Sequence, residues 1–188
     1  MADNASSLRN GNKVLIENQP YLILDTDFVN PGKGQAFTRI KIRNLLNNKV
    51  LEKTIKIGEA LQEADVLNTK MQFLYKENDT YFFMNLDTYE QTDISKDILS
   101  DNSRWLQDGE ACDVTIWNGN IIQIDPPKFV NLTVLSTEDT IKGDTVSSTL
   151  KDAKLENGEI VKVPIFIKEG EQIRVDTSTN EYVSRVKN

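Results

Sequence analysis

Short apolar runs separated by turn signals constrain the fold of this chain more than any other feature of its sequence. Most runs alternate apolar with polar residues or are rich in β-branched residues, and an apolar period of 3.6 residues is nearly absent. Alternation buries one face of a strand, and recurring turns between short strands are typical of small barrels or sandwiches. The sequence therefore predicts a mostly β protein.

The runs group into three parts. The first part predicts an SH3-like meander, and the second predicts two hairpins around a helix at 93–106, which suits an OB-type barrel. Two prolines at Pro126-Pro127 interrupt the pattern, and the third part predicts a second OB barrel with an exposed loop within 140–157. We predict domains at 1–64, 65–127 and 128–188. The predicted strands lie at 14–16, 21–28, 36–45, 50–57, 71–75, 81–85, 114–117, 121–124, 129–135, 160–167, 172–175 and 181–186.

The composition favours a cytoplasmic protein without a membrane partner. With 38% apolar and 27% charged residues it is globular in composition, and no apolar run approaches the roughly 20 residues of a membrane span. The N-terminal segment lacks the apolar core of a secretory signal. The single cysteine, Cys112, cannot form an internal disulfide, as expected in a reducing compartment.

The net charge of −7 is unevenly distributed. Residues 1–64 contain nine basic and seven acidic side chains, residues 65–127 four and twelve, and residues 128–188 nine and ten. Residues 28–51 contain five basic side chains and no Asp or Glu. Because phosphate binding depends on Lys and Arg, this segment predicts a basic face in an otherwise acidic protein.

Few kinds of catalytic site are compatible with this sequence. The chain has no histidine, which excludes Ser-His-Asp and Cys-His nucleophiles and the HExxH zinc motif. Neither GxGxxG nor GxxxxGK(S/T) occurs. The close carboxylates Asp108, Glu110 and Asp113 are compatible with a hydrolase, although acidic clusters are usually solvated surface. We expect no catalytic residue, no metal and no cofactor.

Lys33 stands between two glycines at a predicted hairpin tip. Pro31 stiffens the entry to the turn, and Gly32 and Gly34 permit a tight turn with positive φ, so Lys33 is expected to project into solvent. A lysine at such a tip often serves solubility alone. The strand that follows favours a more specific role.

Alternation in residues 39–43 puts Arg39, Lys41 and Arg43 on one face of a strand and two isoleucines on the other. Cations about 7 Å apart along a strand match the scale of phosphate spacing in a folded nucleic acid. The alternative is a solvated edge strand. The aromatic side chains of this part, the two tryptophans and the cysteine are expected in the core rather than in stacking or reactive roles: Tyr21, Phe28, Phe37, Trp105, Trp117 and Cys112.

The segment 28–37, Phe-Val-Asn-Pro-Gly-Lys-Gly-Gln-Ala-Phe, followed by Arg39, resembles the domain-one hairpin of elongation factor P. Residues 151–170, with Lys151-Asp152-Ala153 and Val163-Pro164, are similar to the C-terminal signature of that family in residue type and spacing. Further matches cover essentially the whole chain: Trp117-Asn118-Gly119, Pro126-Pro127, Gly143-Asp144-Thr145 and the ending at 181–186.

The resemblance implies a non-enzymatic, monomeric translation factor with an SH3-like or KOW-type domain and two OB barrels, in an L shape that imitates transfer RNA. Such a factor binds the ribosome between the peptidyl and exit sites, against ribosomal RNA and the peptidyl transfer RNA, and relieves stalling at consecutive prolines. A modifying enzyme would extend Lys33, and the sequence around Lys33 most resembles those that receive a β-lysine. Pro31, Gly32 and Gly34 would shape the turn that carries it. The residues implied in RNA contacts are Arg39, Lys41, Arg43, Gly143, Asp144, Thr145, Tyr182 and Arg185.

Two other interpretations stay open. The first is a paralogous elongation factor P-like protein, although such proteins generally depart from the hairpin motif found here. The second is a general OB-type RNA-binding protein, which would need exposed aromatic side chains on a basic groove. The acidic second part of the chain counts against that class.

Overall fold

The computed structural model describes residues 2–4, 8–137 and 150–186, and three β-sheets dominate them. The prediction of a mostly β protein is confirmed. A short helix, α1 (Lys96–Leu99), is followed by a 3₁₀ helix (Ser100–Trp105). The strands are β1 (Ala2–Asn4), β2 (Lys13–Ile16), β3 (Gln19–Val29), β4 (Phe37–Asn44), β5 (Val50–Lys56), β6 (Ala60–Glu63), β7 (Val66–Glu77), β8 (Thr80–Asn85), β9 (Gln91–Ser95), β10 (Ala111–Trp117), β11 (Asn120–Asp125), β12 (Phe129–Thr137), β13 (Leu150–Leu155), β14 (Ile160–Pro164), β15 (Gln172–Asp176) and β16 (Glu181–Arg185).

Packing divides the chain into two compact units. One consists of Met1–Thr69 with Val114–Gln123, and the other of Lys70–Asp113 with Ile124–Asn188. The division into three domains at 64 and 127 stays a prediction. β11 ends at Asp125, immediately before the two prolines that interrupt the strand pattern.

The first sheet has the strand order β1-β6-β2-β3-β4-β5. Each of the four apolar runs predicted in this part is a strand, and β1 and β6 are additional strands that the pattern did not predict. The apolar face of the sheet forms one core cluster, because alternate residues along each strand point to the same side. Its buried members are Leu8, Val14, Ile16, Tyr21, Ile23, Ile40, Ile42, Ile55 and Leu61.

The second sheet has the order β11-β10-β7-β8-β9. Both predicted hairpins are confirmed, with positive φ at Asn78 in one turn and at Asn118 and Gly119 in the other. The prediction of a helix at 93–106 is wrong in two respects: the segment begins as a strand, and most of its helical part is a 3₁₀ helix. Ile94 lies in β9 opposite Tyr81, and α1 ends after four residues because Ser100 has a φ of 49°. The sequence Ser-Asp-Asn-Ser at 100–103 explains the early end, since these residues compete for backbone hydrogen bonds.

The third sheet has the order β14-β13-β12-β15-β16. Its two edge strands, β14 and β16, contact each other, so the sheet curls on itself. β13 lies within the segment that the sequence predicted to contain a loop. Ala153 and Leu155 are fully buried in this strand, but a single small apolar residue between charged neighbours gives a weak alternation signal.

Trp105 of the 3₁₀ helix packs into the core of the third sheet, among residues of β12 to β15. Its indole N–H donates a hydrogen bond to Oδ1 of Asn180 (3.2 Å), and Asn180 also accepts from Nη2 of Arg104 (3.2 Å). The amide of Asn157 donates to the backbone carbonyl of Arg104 (2.9 Å). The 3₁₀ helix is therefore anchored by one large buried ring and by hydrogen bonds at its rim.

This anchoring predicts a large effect of Trp105→Ala. The Trp105 side chain is 2% exposed, and replacing a buried Trp by Ala typically lowers the free energy of unfolding by about 3–5 kcal/mol. Hydrogen exchange of the β12 and β15 amides, compared between wild type and variant, measures this loss locally. Tyr75→Ala, at an aromatic residue that is 47% exposed, is the control, and equal losses in the two variants would contradict the assignment of Trp105 to this core.

Candidate functional site

The candidate site is the long hairpin of β3 and β4. These strands pair antiparallel from Tyr21 opposite Asn44 to Val29 opposite Phe37, with a bulge between Ile23 and Asp25. β4 also pairs with β5 along its whole length. Because β4 is hydrogen-bonded on both sides, it is a central strand of the sheet, and the predicted alternative of an edge strand is wrong.

The tip of the hairpin is the loop 30–36, and Lys33 lies at its centre with an exposed side chain. Within the described chain no backbone hydrogen bond joins two residues of this loop, so the tight turn stays a prediction. Gly34 has a φ of 110°, and a Cβ there would lie 3.9 Å from Cγ of Pro31. Gly32 does not have positive φ, so only one of the two glycines meets the predicted conformational requirement.

β4 carries the three predicted cations on the face that points away from the core, and we call Arg39, Lys41 and Arg43 the basic stripe. Ile40 and Ile42, between them, are fully buried, which confirms the predicted alternation. The guanidinium carbon of Arg39 lies 6.0 Å from the ring centroid of Phe37. Nε of Arg43 is buried and has no acceptor in the described part of the chain.

Carboxylates on the neighbouring strands β3 and β5 lie directly opposite residues of the basic stripe. Asp27 is opposite Arg39, and Lys41 has Asp25 opposite it on β3 and Glu52 opposite it on β5. Residues opposite each other in an antiparallel pair share a face, so the stripe is not the isolated basic surface that the segment 28–51 predicted. Sequence reasoning missed these partners because all three lie just outside that segment.

Three aromatic residues of the hairpin differ in burial. Tyr21 is buried, which confirms the prediction, and Phe37 is partly buried. Phe28 is 56% exposed, so its predicted place in the core is wrong. Phe28 lies one residue from the end of β3, where the sheet extends past its apolar core. An aromatic ring on the hairpin thus faces solvent five positions before Lys33.

The remaining residues implied in RNA contacts are far apart in sequence from the hairpin and have local structural roles where they are described. Tyr182 packs against the core of the third sheet. Nη1 of Arg185 lies 3.1 Å from Oε1 of Glu171 in an ion pair. A hydrogen bond from the backbone N–H of Lys168, together with Arg185, holds the pKa of Glu171 below its usual value. Gly143, Asp144 and Thr145 lie outside the described residues.

The three carboxylates of the acidic cluster lie at or near the protein surface. Asp113 pairs with Lys70 (3.4 Å), while Asp108 and Glu110 are exposed. The described residues contain no group of three or more His, Cys, Asp and Glu side chains that could hold a metal ion. No helix in the described ranges is both long and apolar enough to cross a membrane.

Cys112 is 1% exposed, which confirms its predicted burial. Burial, together with the nearby carboxylates of Asp113, Glu110 and Asp125, raises the pKa of its thiol to about 12. The thiolate form, which is the nucleophile, is therefore scarce at neutral pH. Trp105 is buried as predicted, whereas Trp117 is only partly buried and its indole Nε1 has no acceptor among the described residues.

Comparison with solved structures identifies the class of fold. The structure "Eukaryotic translation initiation factor 5A from Methanococcus jannaschii" matches with a TM-score of 0.54 and 24% identity, covering 67% of this chain and 92% of that chain. A translation initiation factor eif-5a family protein from Naegleria fowleri ATCC 30863 matches with a TM-score of 0.54 and 16% identity, covering 66% and 97%. This chain therefore shares the fold of these two structures over about two thirds of its length.

Family models then resolve the family within this class. The elongation factor P KOW-like domain matches residues 4–61, the elongation factor P OB domain matches residues 66–124, and the elongation factor P C-terminal model matches residues 130–185. Together they cover almost the whole chain. The chain belongs to the elongation factor P family, and the protein is a translation elongation factor with a KOW-like domain and an OB domain.

The backbone at the tip predicts different effects of alanine at the two glycines. Gly34→Ala forces a Cβ into a positive-φ conformation, which costs about 1–2 kcal/mol, so we expect the loop 30–36 to rearrange. Gly32→Ala meets no atom within 4 Å and requires no such φ, so it should leave the loop unchanged. Amide chemical shifts of Asn30 and of residues 32–36 measure both variants, and equal perturbations would contradict the geometry of the tip.

Burial of Cys112 predicts slow alkylation in the native protein. With a pKa of about 12 the thiol stays protonated at pH 8, and its sulfur is shielded from reagent. Iodoacetamide should therefore label the native chain much more slowly than the chain unfolded in guanidinium, as followed by mass spectrometry. Because the chain has one cysteine, the rate reports on Cys112 alone, and equal native and unfolded rates would show that the site is open.

Proposed function

We propose that this elongation factor binds the ribosome between the peptidyl and exit sites and stimulates peptide-bond formation at consecutive prolines, through a modified Lys33. The observation that carries this proposal is the position of Lys33. It is exposed at the centre of the tip, and Val29 and Phe37, the last paired residues of the hairpin, are each four residues away from it. An amine at the end of a long paired hairpin can enter a narrow site that the rest of the domain cannot enter.

The physical requirement at consecutive prolines is positioning. Proline fixes φ near −65° and attacks through a secondary amine, so prolyl substrates reach the geometry of attack poorly. Holding reacting groups in a productive orientation lowers the barrier without new covalent chemistry. An extended Lys33 would stabilise the productive pose of the peptidyl transfer RNA, while the ribosome remains the catalyst. No catalytic role for the factor itself is required.

The basic stripe supports the proposal by offering cations for RNA phosphates beside the tip. Arg39 and Lys41 are exposed, and neither forms an ion pair within the described ranges. The carboxylates across the sheet reduce the long-range attraction to RNA, because charges within a Debye length of about 10 Å partly cancel. Close contact with a phosphate is affected less. The stripe would therefore bind RNA that the rest of the ribosomal site has already oriented.

The modification of Lys33 is part of the proposal. The exposed loop leaves the amine accessible to a modifying enzyme, and the sequence around it most resembles those that receive a β-lysine. We propose that the protein acts as a cytoplasmic monomer with three partners: the ribosome with its RNA, the peptidyl transfer RNA, and the enzyme that modifies Lys33.

Synthesis of a peptide with three consecutive prolines tests the proposal in a reconstituted translation system lacking the endogenous factor. The natively modified protein should relieve the stall, and Lys33→Ala should abolish that relief. Lys33→Arg keeps the positive charge but cannot be extended in the same way, so it should also fail.

Lys49→Ala is the matched control, because Lys49 is an exposed lysine at the opposite end of β4. It should retain full relief of the stall. If Lys33→Ala worked as well as the native protein, the proposed role of Lys33 would be wrong. If no form of the protein relieved the stall, the paralogue or the general RNA-binding protein would be favoured instead.

A further inference from the structure

A cavity of about 410 Å³ lies in the compact unit formed by Lys70–Asp113 and Ile124–Asn188, away from the hairpin sequence. Its volume falls within the roughly 300–1,000 Å³ of small-molecule sites. Phe73 and Tyr81 are among the lining residues, but each is only 4% exposed, so their rings offer little free surface. The cavity has room for a ligand larger than a single ion, and most of its lining residues are polar.

The basic side chains of this region converge on the cavity. Residues 65–127 contain twelve acidic but only four basic side chains. Three of these four, Lys76, Lys96 and Arg104, line the cavity. The fourth, Lys70, is not part of the lining and pairs with Asp113 instead (3.4 Å). In a region with three times as many acids as bases, such a convergence of cations marks a specific place for negative charge.

Two of these three cations have no ion-pair partner among the described residues. Lys76 and Lys96 form no ion pair in the part of the chain that the structure describes, and Nζ of Lys76 lies 5.2 Å from the ring centroid of Tyr81. Arg104 pairs with Glu159 (3.4 Å), but its Nε is buried without an acceptor among the described residues.

One carboxylate, that of Asp108, also lines the cavity. Its charge opposes an anionic ligand, and the pair between Arg104 and Glu159 offsets a second cation in part. Lys76 and Lys96 therefore provide the uncompensated charge. Both are exposed, so a ligand can reach them without any rearrangement of the core.

We propose that this cavity binds a phosphate group, carried either by a mononucleotide or by an RNA backbone. Lysine ammonium groups bind phosphate as point charges, and the volume of the cavity leaves room for a ribose or nucleobase attached to it. The acidic surface around the cavity repels phosphate elsewhere in this region, so binding is confined to the one place where cations predominate. The site is independent of Lys33 and of the proposed function.

Chemical-shift titration of the ¹⁵N-labelled full chain tests the proposal with three probes: inorganic phosphate, AMP and a single-stranded hexaribonucleotide. The amides of Lys76, Lys96 and Ser103 report on the cavity. Lys96→Gln should weaken binding about 3- to 5-fold, as expected for one exposed charge pair. Asp108→Asn should tighten it, because the variant removes the opposing charge. Lys33→Ala should leave the cavity shifts unchanged.

Lys70→Gln is the matched control, since it removes one positive charge from the same region outside the cavity. Cavity shifts with AMP and phosphate that weaken in Lys96→Gln but not in Lys70→Gln would support a mononucleotide ligand. The same pattern with the hexaribonucleotide alone would support the RNA backbone. The absence of cavity shifts with all three probes, or equal weakening by Lys70→Gln and Lys96→Gln, would overturn the proposal.

Discussion

The position of Lys33 depends on the burial of the isoleucine face of β4. Ile40 and Ile42 are fully buried, and Ile23, which lies opposite Ile42 on β3, is 1% exposed. Burying one such side chain contributes about 1.5–3 kcal/mol, whereas an exposed ion pair contributes at most about 1 kcal/mol. The apolar side of the hairpin therefore sets its register. Since that register leaves Val29 and Phe37 equally distant from Lys33, the core also places the lysine at the centre of the tip.

The two groups of cations, the basic stripe and the lysines of the cavity, differ in their acidic neighbours. Asp25 and Asp27 on β3 and Glu52 on β5 lie opposite the basic stripe, so its charge is partly offset by carboxylates of the same sheet. In the cavity, Lys76 and Lys96 lack ion-pair partners within the described residues, although acidic side chains predominate in that region. Charge complementarity across an interface contributes to specificity as well as affinity. If the proposed RNA contacts are made, confining the cations to these places in an acidic protein would limit nonspecific adhesion to RNA.

The sequence predicted strands best where large apolar residues alternate, as in β4 and β15, because period-two burial is the direct cause of that pattern. β13 was missed because its alternation rests on the small Ala153 and on Leu155. The site was predicted in part, since exposure of Lys33 follows from local residues. Which carboxylates lie opposite the basic stripe depends on the register of the strands. The composition of one segment does not reveal that register. Pairing residues symmetrically about Lys33 would have placed Asp27 opposite Arg39 and Asp25 opposite Lys41.

The loop at the tip combines one stiff and one permissive position. Pro31 has a fixed φ, and its ring lies near Gly34, whose φ of 110° suits glycine alone among ordinary residues. The loop has no internal backbone hydrogen bond in the described structure, so hydrogen bonding contributes little to its order. Ordering a residue costs about 1–2 kcal/mol of backbone entropy, and the proline reduces that cost before any contact with RNA is made. We infer that the two strands fix where the lysine enters its site, and that contacts made within the site fix the conformation of the loop around it.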